Sequence, residues 1–277
     1  MIRSTFVHLT GVGPVAENRL WQAGIRTWRD FLDADSLPCR VPSHARLREE
    51  LQASEERLAA GDARWLGSKL GAADQWRLYG AFHGQAAYVD IETTGKPWPD
   101  GHITSIALYD GHAVRTYVHG DNLESFADDI LHYKLLVTFN GRSFDGPFME
   151  RTFGFTLPLA HLDLRHVLRA VGYKGGLKIV EKLCGVDRGM LDGVDGYTAV
   201  LLWYRYLRLQ LPETLETLLA YNVEDVLSLH PLAVFAYNAH AKALPVLQLE
   251  HMPMPQHGVN PCRASAEELR ALHRGWD

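Results

Sequence analysis

The hydrophobic period of this chain changes near residue 84, and that change divides it into two kinds of structure. Before it the pattern is helical and rich in Arg and Ala. Leu47, Leu51, Leu58 and Leu66 recur at helix-compatible spacings, with Trp21, Trp28, Trp65 and Trp76 interleaved. Beyond it short apolar runs take over. Residues 86–91, 103–109 and 113–118 read as three strands, and Asp110-Gly111 is a tight-turn pair between the last two. That predicts an antiparallel meander. Leu123, Phe126, Ala127 and Ile130 trace one face of a helix. Residues 135–139 form a fourth strand ended by Asn140-Gly141, and 159–162 a fifth. From 163 to 237 the chain reads as helices punctuated by Gly172, Gly185, Gly193 and Pro212. Residues 251–261 are Pro- and His-rich and irregular, and 264–273 a short helix. Strands, then alternation, then helices predict a mixed α/β layered domain. The expected division is a helical region over 1–83, the α/β domain over 84–240 and a C-terminal tail over 241–277.

A chain of 277 residues is long enough for one sizeable core and a smaller appendage. No run approaches the roughly 20 apolar residues that span a bilayer, and the first residues lack a secretory pattern. Cys39, Cys184 and Cys262 are odd in number and far apart, which suits neither a disulfide framework nor zinc ligation. A reducing, cytoplasmic setting without a membrane partner is the expectation. The net charge of −5 shows no basic surplus for nucleic acid. Acids gathered around divalent cations would reverse that sign locally. Oligomeric state is not readable.

Three acidic segments stand out. Asp90-Ile91-Glu92-Thr93-Thr94-Gly95 closes the first strand, and alternation puts Asp90 and Glu92 on one face, roughly 6–7 Å apart. Solvated charge is one reading of the pair. The apolar neighbours Tyr88, Val89 and Ile91 make the strand central, and buried acids there need a counter-charge. Asp145 follows Asn140-Gly141-Arg142-Ser143-Phe144 at the start of a helix, where an N-cap is the plain alternative. Tyr221 and Asp225 stand four apart on one helical face, between Leu218 and Leu229 in the buried stripe. A Tyr–Asp hydrogen bond inside the core is the alternative there.

In order, these segments spell D-x-E, N-G-x-x-F-D and Y-x-x-x-D. The set resembles the DEDD superfamily of 3′–5′ exonucleases, in the subtype with tyrosine four residues before the last acid. Ala220 stands where the histidine subtype needs His. Gly175-Gly176-Leu177-Lys178-Ile179-Val180-Glu181 and Leu191-Asp192-Gly193-Val194-Asp195-Gly196 extend the resemblance to YprB-like proteins, relatives of B-family proofreading domains. Coverage runs over about 79–232. With no polymerase portion following, a free-standing nuclease is expected.

The resemblance implies a ribonuclease-H-like mixed five-stranded sheet flanked by helices, beside the small N-terminal all-α region. It implies a metal-dependent 3′–5′ exonuclease acting on single-stranded 3′ ends of DNA or RNA. Asp90, Glu92, Asp145 and Asp225 would hold two divalent ions, and Tyr221 would orient the nucleophilic water. Hard oxygen ligands favour Mg2+ or Mn2+. Asn140 and Phe144 would meet the terminal nucleotides, Phe144 by stacking unless it belongs to the core. Thr93 and Thr94 would bond the 3′ end, with Lys178 and Arg142 as phosphate contacts. His161 and Asp163 read as a local hydrogen bond outside the site. The rival readings are a structure-specific endonuclease on the same fold and a non-catalytic nucleic-acid-binding protein. At the N-terminus, Leu9-Thr10-Gly11-Val12-Gly13-Pro14 and a second turn at Gly24 resemble a helix-hairpin-helix element, a second place to grip phosphate.

Overall fold

The computed structural model of the protein describes residues 1–39, 41, 43–186, 191 and 194–273. Asp192 and Gly193 of the motif above lie outside the described residues. In the N-terminal region, α1 (Pro14–Gln22) begins as its sequence predicts, with Gly13 at the N-cap and Pro14 at the first helical position. Gly11 precedes it at φ +77°. The helix α2 (Trp28–Asp33) starts on a capping box in which Thr27 and Asp30 satisfy each other's backbone N–H groups. Helices α3 (His44–Ala59) and α4 (Ala63–Ser68) are capped by Ser43 and Asp62, and α5 (Trp76–Phe82) leads into the sheet. A buried ion pair ties the first helix to the last. Arg77 Nη1 and Nη2 donate to Glu17 Oε1 and Oε2, each at 2.9 Å. The same carboxylate accepts from Phe6 N and Val7 N, and Arg77 Nε donates to Asp74.

The sheet comprises β1 (Ala86–Thr93), β2 (Ile103–Tyr109), β3 (Val114–Val118), β4 (Leu135–Thr138) and β5 (Ala160–Asp163), in the order β3-β2-β1-β4-β5. The first three form the expected antiparallel meander. Strands β4 and β5 add in parallel beside β1. In the β2–β3 turn, Asp110 Oδ1 accepts from His112 N and Ala113 N while Gly111 takes φ +93°. Residues 123–132 are not a single helix but a one-turn α6 (Phe126–Asp129) between two 3-10 turns. Leu123, Phe126 and Ile130 are still buried, because tightening to about three residues per turn keeps the same face on the core.

Alternation along β1 assigns its two faces. Ala87, Val89 and Ile91 pack with Ile106, Leu108, Phe126, Phe148 and Met149, under α6 and α7 (Asp145–Phe153). Ala86 and Tyr88 face the other way. Their cluster joins the N-terminal helices, including Phe6, Leu20, Trp28 and Trp76, to Val226, Leu229 and Ala233 of the long final helix. Along the chain, α8 (Leu164–Ala170), α9 (Leu177–Cys184) and α10 (Gly196–Leu209) separate β5 from that helix. The long helix is α11 (Pro212–Lys242), which starts on Pro212 and crosses β1 and β2. Asp90 and Glu92 continue the Tyr88 face of β1 and therefore look toward α11. The chain ends in an irregular strap over 251–261 and α12 (Ala266–His273). His257 Nε2 meets Glu224 Oε1 at 2.8 Å, and Asn260 Nδ2 donates to Ala220 O at 2.8 Å, so the strap lies along α11. Among the described residues no helix is long and apolar enough to cross a membrane.

Candidate active site

The register of the sheet opens the site. Strand β4 pairs with β1 only as far as Val137 opposite Tyr88, so the last residues of β1 run on past the end of β4. Asn140 then takes φ +68°, and Gly141 passes so close to Thr138 that a Cβ there would lie 2.3 Å from Thr138 Oγ1. This tight turn carries the chain back to α7, whose first residue is Asp145. Asp145 is not an N-cap. Phe144 holds that position, and Asp145 Oδ1 instead accepts from Ile91 N at 3.3 Å, a strand N–H beyond the last residue that β4 pairs.

On the other side α11 brings Tyr221 and Asp225, both buried, against the same strand end. Carboxylate oxygens of Asp90, Glu92 and Asp225 lie within 4.8 Å of one another. Together with Asp145 and Tyr221 they line a cleft of about 470 Å³. Burial, then the charges of Asp225, Asp145 and Glu92, raise the Asp90 carboxyl well above its ordinary range. Burial likewise pushes Asp145 up to about 7, against hydrogen bonds from its own N–H and that of Ile91. Converging carboxylates in a half-closed cleft are a hard-oxygen donor set, and a divalent cation is the group that fits them.

Asn222, which the sequence reading overlooked, sets the direction of Asp90. Its Nδ2 donates to Asp90 Oδ2 at 2.8 Å and to Asp90 O at 3.2 Å, while its Oδ1 accepts from Ser105 Oγ at 3.0 Å. The signal was present. A fully buried Asn inside an apolar helix must find partners.

Lys178 lines the cleft from the first turn of α9. Its Nζ donates to Tyr221 Oη at 3.0 Å and lies 4.6 Å from the ring centroid. Phe144 is 41% exposed, which removes it from the core, and it leans on Phe148 with ring centroids 5.1 Å apart. It lines the cleft with Asn140, Ile179, Asp195 and Gly196. Thr93 and Thr94 are not among the lining residues. Their hydroxyls accept from Gly95 N and His102 N, bracing the loop after β1. The local bond expected between His161 and Asp163 is not the one formed. His161 Nε2 meets Thr138 Oγ1 at 2.8 Å, and Asp163 instead binds backbone N–H groups of the loop after β4.

This geometry agrees with what comparison with known families finds. The RNase_H_2 family model, described as RNase_H superfamily, matches residues 87–237. No curated protein and no solved structure matches the chain. The match covers more than half of the chain and takes in the five-stranded sheet but for Ala86, most of α11 and every acid of the cleft, so the chain belongs to the RNase_H superfamily.

Proposed function

We propose that the chain is a metal-dependent 3′–5′ exonuclease of the tyrosine DEDD type, similar to YprB-like proteins, acting on single-stranded ends of DNA or RNA. The observation that carries this is the meeting of Asp90, Glu92 and Asp225 within 4.8 Å beside Asp145 and Tyr221, residues from three separate elements. Asp90, Glu92 and Asp225 would hold one divalent ion, and Asp90 with Asp145 a second. When bound, Mg2+ or Mn2+ ions supply charge neutralisation on the attacking and departing oxygens and make water a stronger nucleophile at neutral pH.

The chain's own residues do the positioning. Asn222 occupies Asp90 Oδ2, which leaves Oδ1 to turn toward the cleft. Lys178 is the donor to the Tyr221 oxygen, so the phenol proton remains Tyr221's own to donate, and the ring is held where it can orient a water. Phe144, at the cleft mouth, offers a face to a terminal base, and Asn140 an amide to the last nucleotide.

End-labelled oligonucleotides incubated with Mg2+ or Mn2+ test this. The expected pattern is stepwise shortening from the 3′ end, lost in Asp90→Asn. Internal cuts would turn the reading to a structure-specific endonuclease. Intact DNA and RNA with both metals, together with binding that Asp90→Asn leaves unchanged, would leave a non-catalytic binding protein.

A further inference from the structure

Asp163, at the end of β5, is fully buried, and its carboxylate gathers three backbone N–H groups: Asn140 at 2.8 Å, Arg142 at 3.1 Å and Arg165 at 3.0 Å. Two belong to the loop after β4 and one to the first turn of α8. One carboxylate therefore fastens the cleft-lining loop to the neighbouring helix.

The consequence is the placing of two exposed guanidinium groups. Arg165 Nη1 donates to the side-chain oxygen of Asn140, itself a cleft residue. Arg142 Nη2 donates to His161 O at 2.9 Å. Each bond uses one of five N–H donors. Among the described residues neither guanidinium has a carboxylate within 4.0 Å. Burial and the charge of Arg142 hold the adjacent His161 imidazole down at about 4, so it is neutral at physiological pH.

The cleft itself is acidic, with Lys178 the basic side chain among its described lining residues, and the whole chain carries −5. A polynucleotide whose 3′ end enters such a cleft needs positive surface for the phosphates left outside. We propose that Arg142 and Arg165 form a phosphate-binding pair on the rim beside Asn140, which holds the backbone of a single strand beyond the nucleotide in the cleft. This rests on the nuclease reading of the cleft. Two anchored planar forks suit phosphate oxygens better than mobile ammonium groups. The pair makes the site select a strand over a mononucleotide, because a substrate that fills only the cleft never reaches the rim.

The test compares the wild-type protein with Arg142→Ala/Arg165→Ala and Arg142→Lys/Arg165→Lys, all checked for an unchanged thermal transition. Affinity for a labelled oligothymidylate is measured by anisotropy with Ca2+ across a salt series. Turnover with Mn2+ is measured on the oligonucleotide and on the p-nitrophenyl ester of thymidine 5′-monophosphate. For the double Ala variant, affinity at moderate salt should fall about tenfold or more, and the log–log salt slope should shrink by about 1.4, two contacts at about 0.7 each. The ratio of oligonucleotide to ester kcat/KM should fall about tenfold as well. The Lys variant should keep the slope and recover only part of the affinity. Wild-type affinity and slope in the double Ala variant would overturn the proposal, as would an equal fall on both substrates. If the wild-type protein cleaves neither substrate, the nuclease reading fails by itself, and the salt slope still decides the rim.

Discussion

Two clusters of buried charge sit on the same face of the sheet and obey opposite rules. Around Arg77, every charge is answered: Glu17 meets the guanidinium through both oxygens and accepts two backbone N–H groups besides. Around Asp90, four carboxylates converge, and burial with mutual repulsion raises the Asp90 and Asp145 carboxyls. The first arrangement pairs opposite charges and serves the fold, tying α1 to α5, although burial still outweighs Arg77 and the backbone N–H groups and raises the Glu17 carboxyl. The second gathers like charge that a cation would relieve. Buried charge is thus not one signal. Its sign balance separates a structural lock from a candidate reaction centre.

The largest expected effect breaks the second cluster. Asp225→Asn should lower turnover on a labelled oligonucleotide by about a thousandfold or more, roughly 4 kcal/mol of barrier. In chelator the same variant should melt no lower than the wild-type protein, since it removes like charge. A clear drop in melting temperature would make Asp225 a fold residue instead. Glu17→Gln breaks the first cluster and should do the reverse. Its loss of stability in urea should be about 3–5 kcal/mol, with turnover per folded molecule retained. If both variants lost stability alike, the contrast between the clusters would collapse.

Asn222→Leu sharpens the comparison, because this residue belongs to the fold by burial and to the site by contact. It should cost about 1–3 kcal/mol, read as a tenfold to hundredfold loss of kcat at little change in KM. Loss of stability with kcat unaltered would reduce Asn222 to packing.

The smallest effect is a pH dependence of the metal-free protein. Asp90 and Asp145 titrate higher folded than unfolded, so between about pH 4 and pH 7 the native state binds more protons than the unfolded one. Stability contributed below that window is lost as pH rises through it. In chelator the melting temperature should be higher at pH 5 than at pH 8, and added Mn2+ should raise it more at pH 8. The opposite slope would mean that these acids are not the strained ones.

Much of the site was legible in sequence because it rests on local rules. Period-two alternation put Asp90 and Glu92 on one face of β1, and four-residue spacing put Tyr221 and Asp225 on one turn of α11. The Asn140-Gly141 break was legible because few residues accept a positive φ there. The contacts of Asp145 with Ile91, Lys178 with Tyr221, Asn222 with Asp90, and Asp163 with the loop after β4 were not. Each joins residues remote in sequence, where spacing carries no information. Residues 123–132 misled for another reason: the apolar spacing suits an α-helix and a string of tight turns equally.

Local rules of the chain thus settle which residues face the core, where the strands turn, and which acids share an element. Long-range packing sets α11 across β1 so that Asp225 meets Asp90, stops β4 short so that Ile91 N is left to Asp145, and fastens the backbone of Arg142 and Arg165 to Asp163. The physical reason is range. Backbone periodicity acts over a few residues, whereas the direction of a buried polar side chain is set by whichever remote partner satisfies its hydrogen bonds once the core has closed.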